Sequence, residues 1–223
     1  MVMIMKRSEI NAIMRSADVF IRGCGFYLPP FAYWSPEEWN TKGKEVAEIV
    51  DNQLGWDITD FGKGDFMHHG LFLFTFRNGS PHNWQTMTGK LYAEKLMIVE
   101  DGQVTPLHFH WNKMEDIINR AGGQLVVQIY KSTPDESVDT ESDVHVSVDG
   151  VQQRVEAGGI IRINPGESIS LVQSCYHKFW GEGRTLVGEV SMVNDDHSDN
   201  HFYESVGRFP KIEEDQPPLY LLC

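Results

Sequence analysis

GQVTPLHFHWNKMEDIINRAGG, running from Gly102 to Gly123, carries two histidines one residue apart and a glutamate shortly after them. VTPLHFH reads as a β-strand, and side chains two apart on a strand share a face. His108 and His110 therefore project to one side, while Phe109 and Trp111 project to the other. Glu115 has the opposite parity to His110 along a straight strand. WNKM must then be a turn or bulge that carries Glu115 onto the next strand, its carboxylate returning toward the histidines, with Asp116 pointing away. Two neutral imidazoles and a carboxylate form a borderline-to-hard donor set that suits Mn, Fe, Co, Ni or Zn.

The stretch sits among short β-like runs that begin near Gly70: LFLFTF, LYAEKLMIV, VTPLHFH, DIINR, QLVVQIY, DVHVSV, VQQRV, GIIRI, SISLV and TLVGEVSMV. Asp149-Gly150 between two alternating runs signals a hairpin, and NGSP and NPGES signal turns. Many short strands without long intervening helices make the chain all-β, an antiparallel barrel or jelly roll. Ahead of them, SEINAIMRSADVFIRGCG places Ile10, Ile13, Met14, Ala17 and Phe20 on one helical face, with Ser8 as its N-cap. YWSPEEW starts a second, short helix, with Ser35 and Glu38 at capping-box spacing and Pro36 between them. The polar tail from Asn194 ends in an apolar LYLLC, which points to an ordered arm returning to the barrel. The chain thus divides into a helical extension over 1–66 packed on the barrel, a barrel over 67–193 and a C-terminal arm over 194–223, all one structural domain.

The 223 residues carry a formal net charge of −13 without a run of Lys or Arg, which excludes nucleic acid and anionic membranes as partners. Cys24, Cys175 and Cys223 are few, odd in number and far apart, and read as reduced thiols of a cytoplasmic protein. The N-terminus has the pattern of neither a signal peptide nor a membrane span.

Written as spacing, the opening stretch is Gly102, five residues, His108, one residue, His110, four residues, Glu115, six residues, Gly122. It resembles the first motif of the cupins at every fixed position, and implies a cupin jelly-roll barrel. The second cupin motif is matched less well. Gly159 and Pro165 fit, but Gly166 comes one residue early and the first histidine available afterwards is His177, in CYHKFW. A β-run followed by a turn would return His177 to the other three, completing a metal set of His108, His110, Glu115 and His177.

LYAEKLMIV is apolar on both faces yet holds Glu94 and Lys95 at its centre, and charges in a buried strand must be paired or used. Lys113 lies inside the WNKM turn, within reach of a substrate hydroxyl, although a solvated turn lysine reads equally well. Trp84, Trp111, Phe179 and Trp180 offer faces for a sugar ring or simply fill the core. His68 and His69 are adjacent and cannot share a strand face, His82 and His145 lack partners, and His197 and His201 fall in the loop-like DDHSDNH.

The longer string LYAEKLMIVEDGQVTPLHFHWNKMEDIINRAGGQL, with INPGESISL, YHKFWGEG and EVSMVNDDHSDNHFY, resembles the D-lyxose isomerase family. That resemblance implies a homodimeric, Mn2+-dependent sugar isomerase interconverting D-lyxose with D-xylulose and often D-mannose with D-fructose. Co2+, Fe2+, Ni2+ or Zn2+ would also suit the donors. Aldose–ketose exchange needs a base between C1 and C2 and groups that hold the open sugar. Lys95 is assigned to the hydroxyls or to proton transfer, Lys113 to substrate binding, and Glu213 or Glu214, folded over the barrel mouth, to a second acid/base role. A cupin phosphosugar isomerase, a metal-dependent dioxygenase and a non-catalytic sugar-binding cupin remain as competing readings.

Overall fold

The computed structural model describes residues 4–207 and 211–223. Its strands, in chain order, are β1 (Met5–Lys6), β2 (Gly55–Thr59), β3 (Leu71–Arg77), β4 (Tyr92–Val99), β5 (Val104–Phe109), β6 (Glu115–Ser132) and β7 (Val138–Asp139). There follow β8 (Val144–Val148), β9 (Val151–Val155), β10 (Ile160–Ile163), β11 (Ser168–Leu171), β12 (Cys175–Met192), β13 (His201–Phe202) and β14 (Ile212–Glu213). The helices are α1 (Arg7–Gly23) and the short α2 (Pro36–Trp39), α3 (Ala47–Asp51) and α4 (His82–Thr86). Among the described residues no helix is long and apolar enough to cross a membrane.

β6 and β12, 18 residues each, organise everything else. They run antiparallel to each other along nearly their whole length, and each serves two faces of a jelly roll. On one face lie β2, β3, β4, the second half of β12, the first half of β6, then β11, β8 and β9. On the other, the first half of β12 pairs with β5, which pairs with β13, while the second half of β6 pairs with β10. DIINR and QLVVQIY, read above as two strands, are thus one strand with a bend, and so are CYHKFW and TLVGEVSMV. The bend is built from glycine. Gly122 has φ +90°, and a Cβ there would lie 2.3 Å from the Arg184 carbonyl oxygen; one on Gly123 would lie 2.4 Å from that of Glu182. The glycine that closes the opening motif is therefore required by the close approach of two backbones.

β4 explains why its sequence is apolar on both faces. Met97 and Val99 join the core inside the barrel, with Ile117, Val127, Ile129 and Phe179. Leu96 and Ile98 join a second core on the outside, where Ile10, Met14, Ala17 and Ile21 of α1 pack against Trp56, Phe72 and Phe74. Lys95 shares the parity of Met97 and faces inward, whereas Glu94 points outward to Arg77 at 3.1 Å.

The segment 1–66 is only partly helical, because Gly55–Thr59 pairs with β3 and extends the main sheet. Ser35 and Glu38 form the capping box, Ser35 Oγ accepting from the Glu38 amide at 3.2 Å and Glu38 accepting from the Ser35 amide at 2.8 Å. Ser8 is not a cap. It lies inside α1, where its amide and hydroxyl both donate to Asp215 of the C-terminal tail, at 2.9 and 2.7 Å. The tail ends on the outer core: Leu222 bridges to Trp56, and the Tyr220 ring meets Tyr33 edge-on at 5.9 Å. At the Asp149-Gly150 hairpin both residues have positive φ, 49° and 81°, as a tight hairpin turn requires.

Replacing Gly122 by alanine combines a left-handed backbone with a steric clash, so we expect Gly122→Ala to lose on the order of 2–3 kcal/mol of unfolding free energy, read by urea denaturation.

Candidate metal centre and active site

His108 and His110, on and just past the end of β5, and His177, near the start of β12, are cross-strand neighbours, with His108 directly opposite His177. One ligand nitrogen from each lies within 4.8 Å of the others. The sequence pattern left His177 off motif. The structure delivers it through the turn at 172–174, after which β12 starts with its third residue facing the two motif histidines.

All three rings are oriented alike. Nδ1 of His108 donates to the Pro106 carbonyl at 2.8 Å, Nδ1 of His110 to the Asp199 carbonyl at 2.9 Å, and Nδ1 of His177 to the Cys175 carbonyl at 3.0 Å. A carbonyl only accepts, so each Nδ1 carries the proton and each Nε2 presents its lone pair. Nε2 of His177 is buried and has no hydrogen-bond partner among the described residues, although Glu115 Oε1 lies 3.1 Å away. Nε2 of His110 is 3.5 Å from that same oxygen. An orphaned, buried lone pair beside a carboxylate is what a divalent cation satisfies, and the orienting carbonyls are the partners that metal-bound imidazoles require. The four residues fit a metal.

The electrostatics favour the forms of His108, His110 and Glu115 that could ligate an ion. Burial, followed by the neighbouring His177 and His110, pushes the His108 pKa well below the ordinary histidine range. Burial and then Lys113 lower that of His110. Burial alone would raise the Glu115 pKa, but Lys113, with its Nζ 2.7 Å from Oε2, and then His110 outweigh it and hold the carboxyl well below the usual carboxylate range.

Lys113 is no solvated turn lysine. It is 4% exposed, and its Nζ also lies 3.0 Å from Oε1 of Glu189. Burial works against its charge, but Glu115 and Glu189 together raise its pKa above the ordinary lysine value. Lys95, also buried, reaches the same Glu189 oxygen at 3.6 Å and donates to Asn194 Oδ1 at 2.7 Å. The two lysines, Glu189 and the candidate metal ligands His108, His110 and Glu115 line one cavity of about 160 Å³, which also has an apolar wall containing Leu71, Met97 and Phe179.

Glu213 and Glu214 lie elsewhere. β14 pairs in parallel with β1 beside the start of α1, and the Glu214 carboxylate is held by Arg7 at 2.6 and 2.8 Å. α1 packs on the outer face of the sheet, and neither glutamate borders the cavity. The acid/base assignment to these two residues is therefore corrected: the charge of Arg7, invisible as a partner in the sequence, draws Glu214 outside the barrel. Of the aromatic candidates only Phe179 lines the cavity, whereas Trp111 points outward and donates to Glu136 at 2.9 Å. His68 is exposed and pairs with Asp65, and His197 is exposed.

Two residues of the site escaped the sequence reading. Glu189 sits in TLVGEVSMV, a charge inside an apolar run, which is the signal that singled out Lys95. Asp199 lies in the segment that reads as a loop, but it is 5% exposed. Its carboxylate accepts from the Asn112 and Lys113 amides at 2.7 and 2.9 Å, fixing the WNKM turn.

Known proteins place the chain. Residues 5–223 match the family model for D-lyxose isomerase. The chain belongs to the D-lyxose isomerase family. A D-lyxose/D-mannose isomerase of Serratia proteamaculans is 48% identical over 98% of this chain and 96% of its own length. One from Escherichia coli O157:H7 is also 48% identical, over 98% of this chain and 97% of its own. Among solved structures, the Cellulomonas parahominis L-ribose isomerase with L-ribose matches with a TM-score of 0.63 at 16% identity, covering 96% of this chain and 100% of that one. That likeness concerns the fold, which is the cupin jelly roll expected above.

The lowered pKa values of His108 and His110 set a direction for acid sensitivity. Below about pH 6.5 these histidines take up protons in the unfolded chain that the folded sites refuse. The metal-free protein will lose stability as pH falls through that point, and Glu115 and Glu189, whose folded pKa values are also lowered, add to the loss near and below about pH 4.5. Urea denaturation of chelator-treated protein across this range checks it, and His108→Gln should flatten the upper part of the decline.

Proposed function

We propose that the protein is a divalent-metal-dependent aldose–ketose isomerase that converts D-lyxose to D-xylulose and D-mannose to D-fructose. The observation that carries this reading is a buried cluster in which the three histidine Nε2 atoms and Glu115 stand beside an ionised Glu189 and two buried ammonium groups, all but His177 lining one cavity. Family membership and the relatives named above support the substrates.

His108, His110, Glu115 and His177 would hold the ion, which when bound supplies Lewis-acid polarisation at the C1 and C2 oxygens of the open sugar. Glu189 is the base. Burial opposes its charge, but Lys113 and Lys95 outweigh it and keep the carboxyl ionised, ready to accept the C2 proton. Transfer of that proton to Glu189 leaves an enediolate, and its return to C1 completes the ketose. The accompanying shift of a proton from O2 to O1 falls to Lys113, whose ammonium borders the cavity between the two carboxylates. Lys95 anchors the remaining hydroxyls, and Leu71, Met97 and Phe179 exclude water from the reacting carbons.

A phosphosugar would find no welcome. Both cavity lysines are already engaged with carboxylates, and Asp57 and Asp196 add negative charge to the lining. Mn2+ as the resident ion and a homodimer follow from the family resemblance, and a chain with few, widely spaced cysteines supports a cytoplasmic setting.

The test is a ketose assay on chelator-stripped protein with D-lyxose, D-mannose and glucose 6-phosphate, with and without Mn2+. Formation of D-xylulose only with Mn2+, lost in His108→Ala, is the expected result. No ketose from either neutral sugar by metal-loaded protein would sink the reading. Glu189→Gln should lower kcat by about 10²- to 10⁴-fold with little change in KM, since it removes the proton acceptor while keeping the shape.

A further inference from the structure

Behind the cavity, Asn194 stands where β12 gives way to the C-terminal arm, and it does not line the cavity itself. Its Oδ1 accepts from Lys95 Nζ at 2.7 Å and from Lys113 Nζ at 3.3 Å. Both donors are ammonium groups, so the atom facing them is the amide oxygen. Asn194 is in turn gripped at its backbone by Asn78. The Asn194 amide donates to Asn78 Oδ1 at 2.9 Å, and Asn78 Nδ2 donates to the Asn194 carbonyl at 3.0 Å. This reciprocal pair gives the arm the two bonds that a neighbouring strand would give. Asn78 is 6% exposed, and its oxygen also accepts from the Gly79 amide at 2.9 Å.

We propose that Asn194, held by Asn78, is a positioning residue that aims the Lys95 and Lys113 ammonium groups at Glu189, and that it must be neutral to do so. The proposal rests on the reading of Glu189 as the base and of the two lysines as sugar ligands. Two cations converging on one oxygen of Glu189, with Lys113 also serving Glu115, need a further acceptor to fix their directions. A carboxylate in that place would satisfy the same geometry but compete electrostatically with Glu189 and Glu115 for the ammonium groups. An amide oxygen accepts without competing. Asparagine is therefore chosen over aspartate by what it leaves undone.

The test separates stability from turnover. Asn194→Asp is isosteric, keeps both backbone bonds to Asn78, and adds an attraction to two cations. A residue with a merely structural role would tolerate it. We expect Tm unchanged or raised and Mn2+ affinity in a competition titration within a few-fold of the parent, but kcat for D-lyxose lower by on the order of ten- to a hundredfold. Asn194→Leu, which removes the acceptor, should lose kcat while also lowering Tm, and Asn194→Ser, a shorter neutral acceptor, should recover more kcat than Asn194→Asp does. An Asn194→Asp protein with the parent's kcat, or one whose loss of kcat tracks a loss of Tm or of metal affinity, would overturn the proposal. If the parent itself yields no ketose from either neutral sugar, the functional reading has failed instead, and the assay separates the two cases.

Discussion

The ammonium of Lys113 is the interaction on which the interior depends. Two carboxylates, Glu115 and Glu189, are buried in one barrel, and they could not both be ionised there without a cation between them. Lys113 provides it, at 2.7 Å from one and 3.0 Å from the other, and Lys95 extends the row by a second cation. The alternation of sign makes a charged interior tolerable. Breaking a buried pair by deleting one partner costs on the order of 3–5 kcal/mol, so every member is tied to the others. The same row holds both carboxyls in the ionised form that the proposed metal-binding and proton-accepting roles need.

That arrangement demands a rigid frame, which the two long strands supply. β6 opens with Glu115, β12 carries both His177 and Glu189, and the two strands are paired with each other on either side of the bend. A sheet that bends at Gly122 and Gly123 can place a residue from one face of the jelly roll opposite a residue from the other. His177 and Glu189 are twelve positions apart on one strand, yet both reach Glu115 or its partner Lys113. Two separate strands would need an additional turn, with its own freedom, to do the same.

Much of this was legible in the sequence because it is local. The parity of His108 and His110, the turn needed to bring Glu115 back, and the double-sided hydrophobicity of LYAEKLMIV follow from the geometry of a strand. What stayed hidden depends on contacts between distant segments. Nothing near Glu213 or Glu214 announces Arg7, more than two hundred residues earlier, and the carboxylate takes the nearest strong donor. Nothing within NDDHSDNH distinguishes Asp199, which is buried only because the Asn112 and Lys113 amides await it. Glu189 was readable by the rule that selected Lys95, a charge inside an apolar strand, and each is the other's partner. Such charges are better sought in pairs.

The C-terminal arm is part of the site for the same reason. Between β12 and β13 it contributes the Asn194 oxygen to two lysines, the Asp199 carboxylate to the metal-motif turn and the Asp199 carbonyl to His110. Phe202 then stacks on His108 with centroids 5.2 Å apart as β13 pairs with β5. A jelly roll ending at Met192 would keep all four side chains of the candidate metal set, but it would lose the acceptor that sets the tautomer of His110 and the clamp on the turn before Glu115. The donor set is encoded in the barrel, whereas its orientation is completed by a segment whose composition resembles a solvated loop. Polarity there reflects the acceptors that the arm supplies to Lys95, Lys113, His110 and the turn amides.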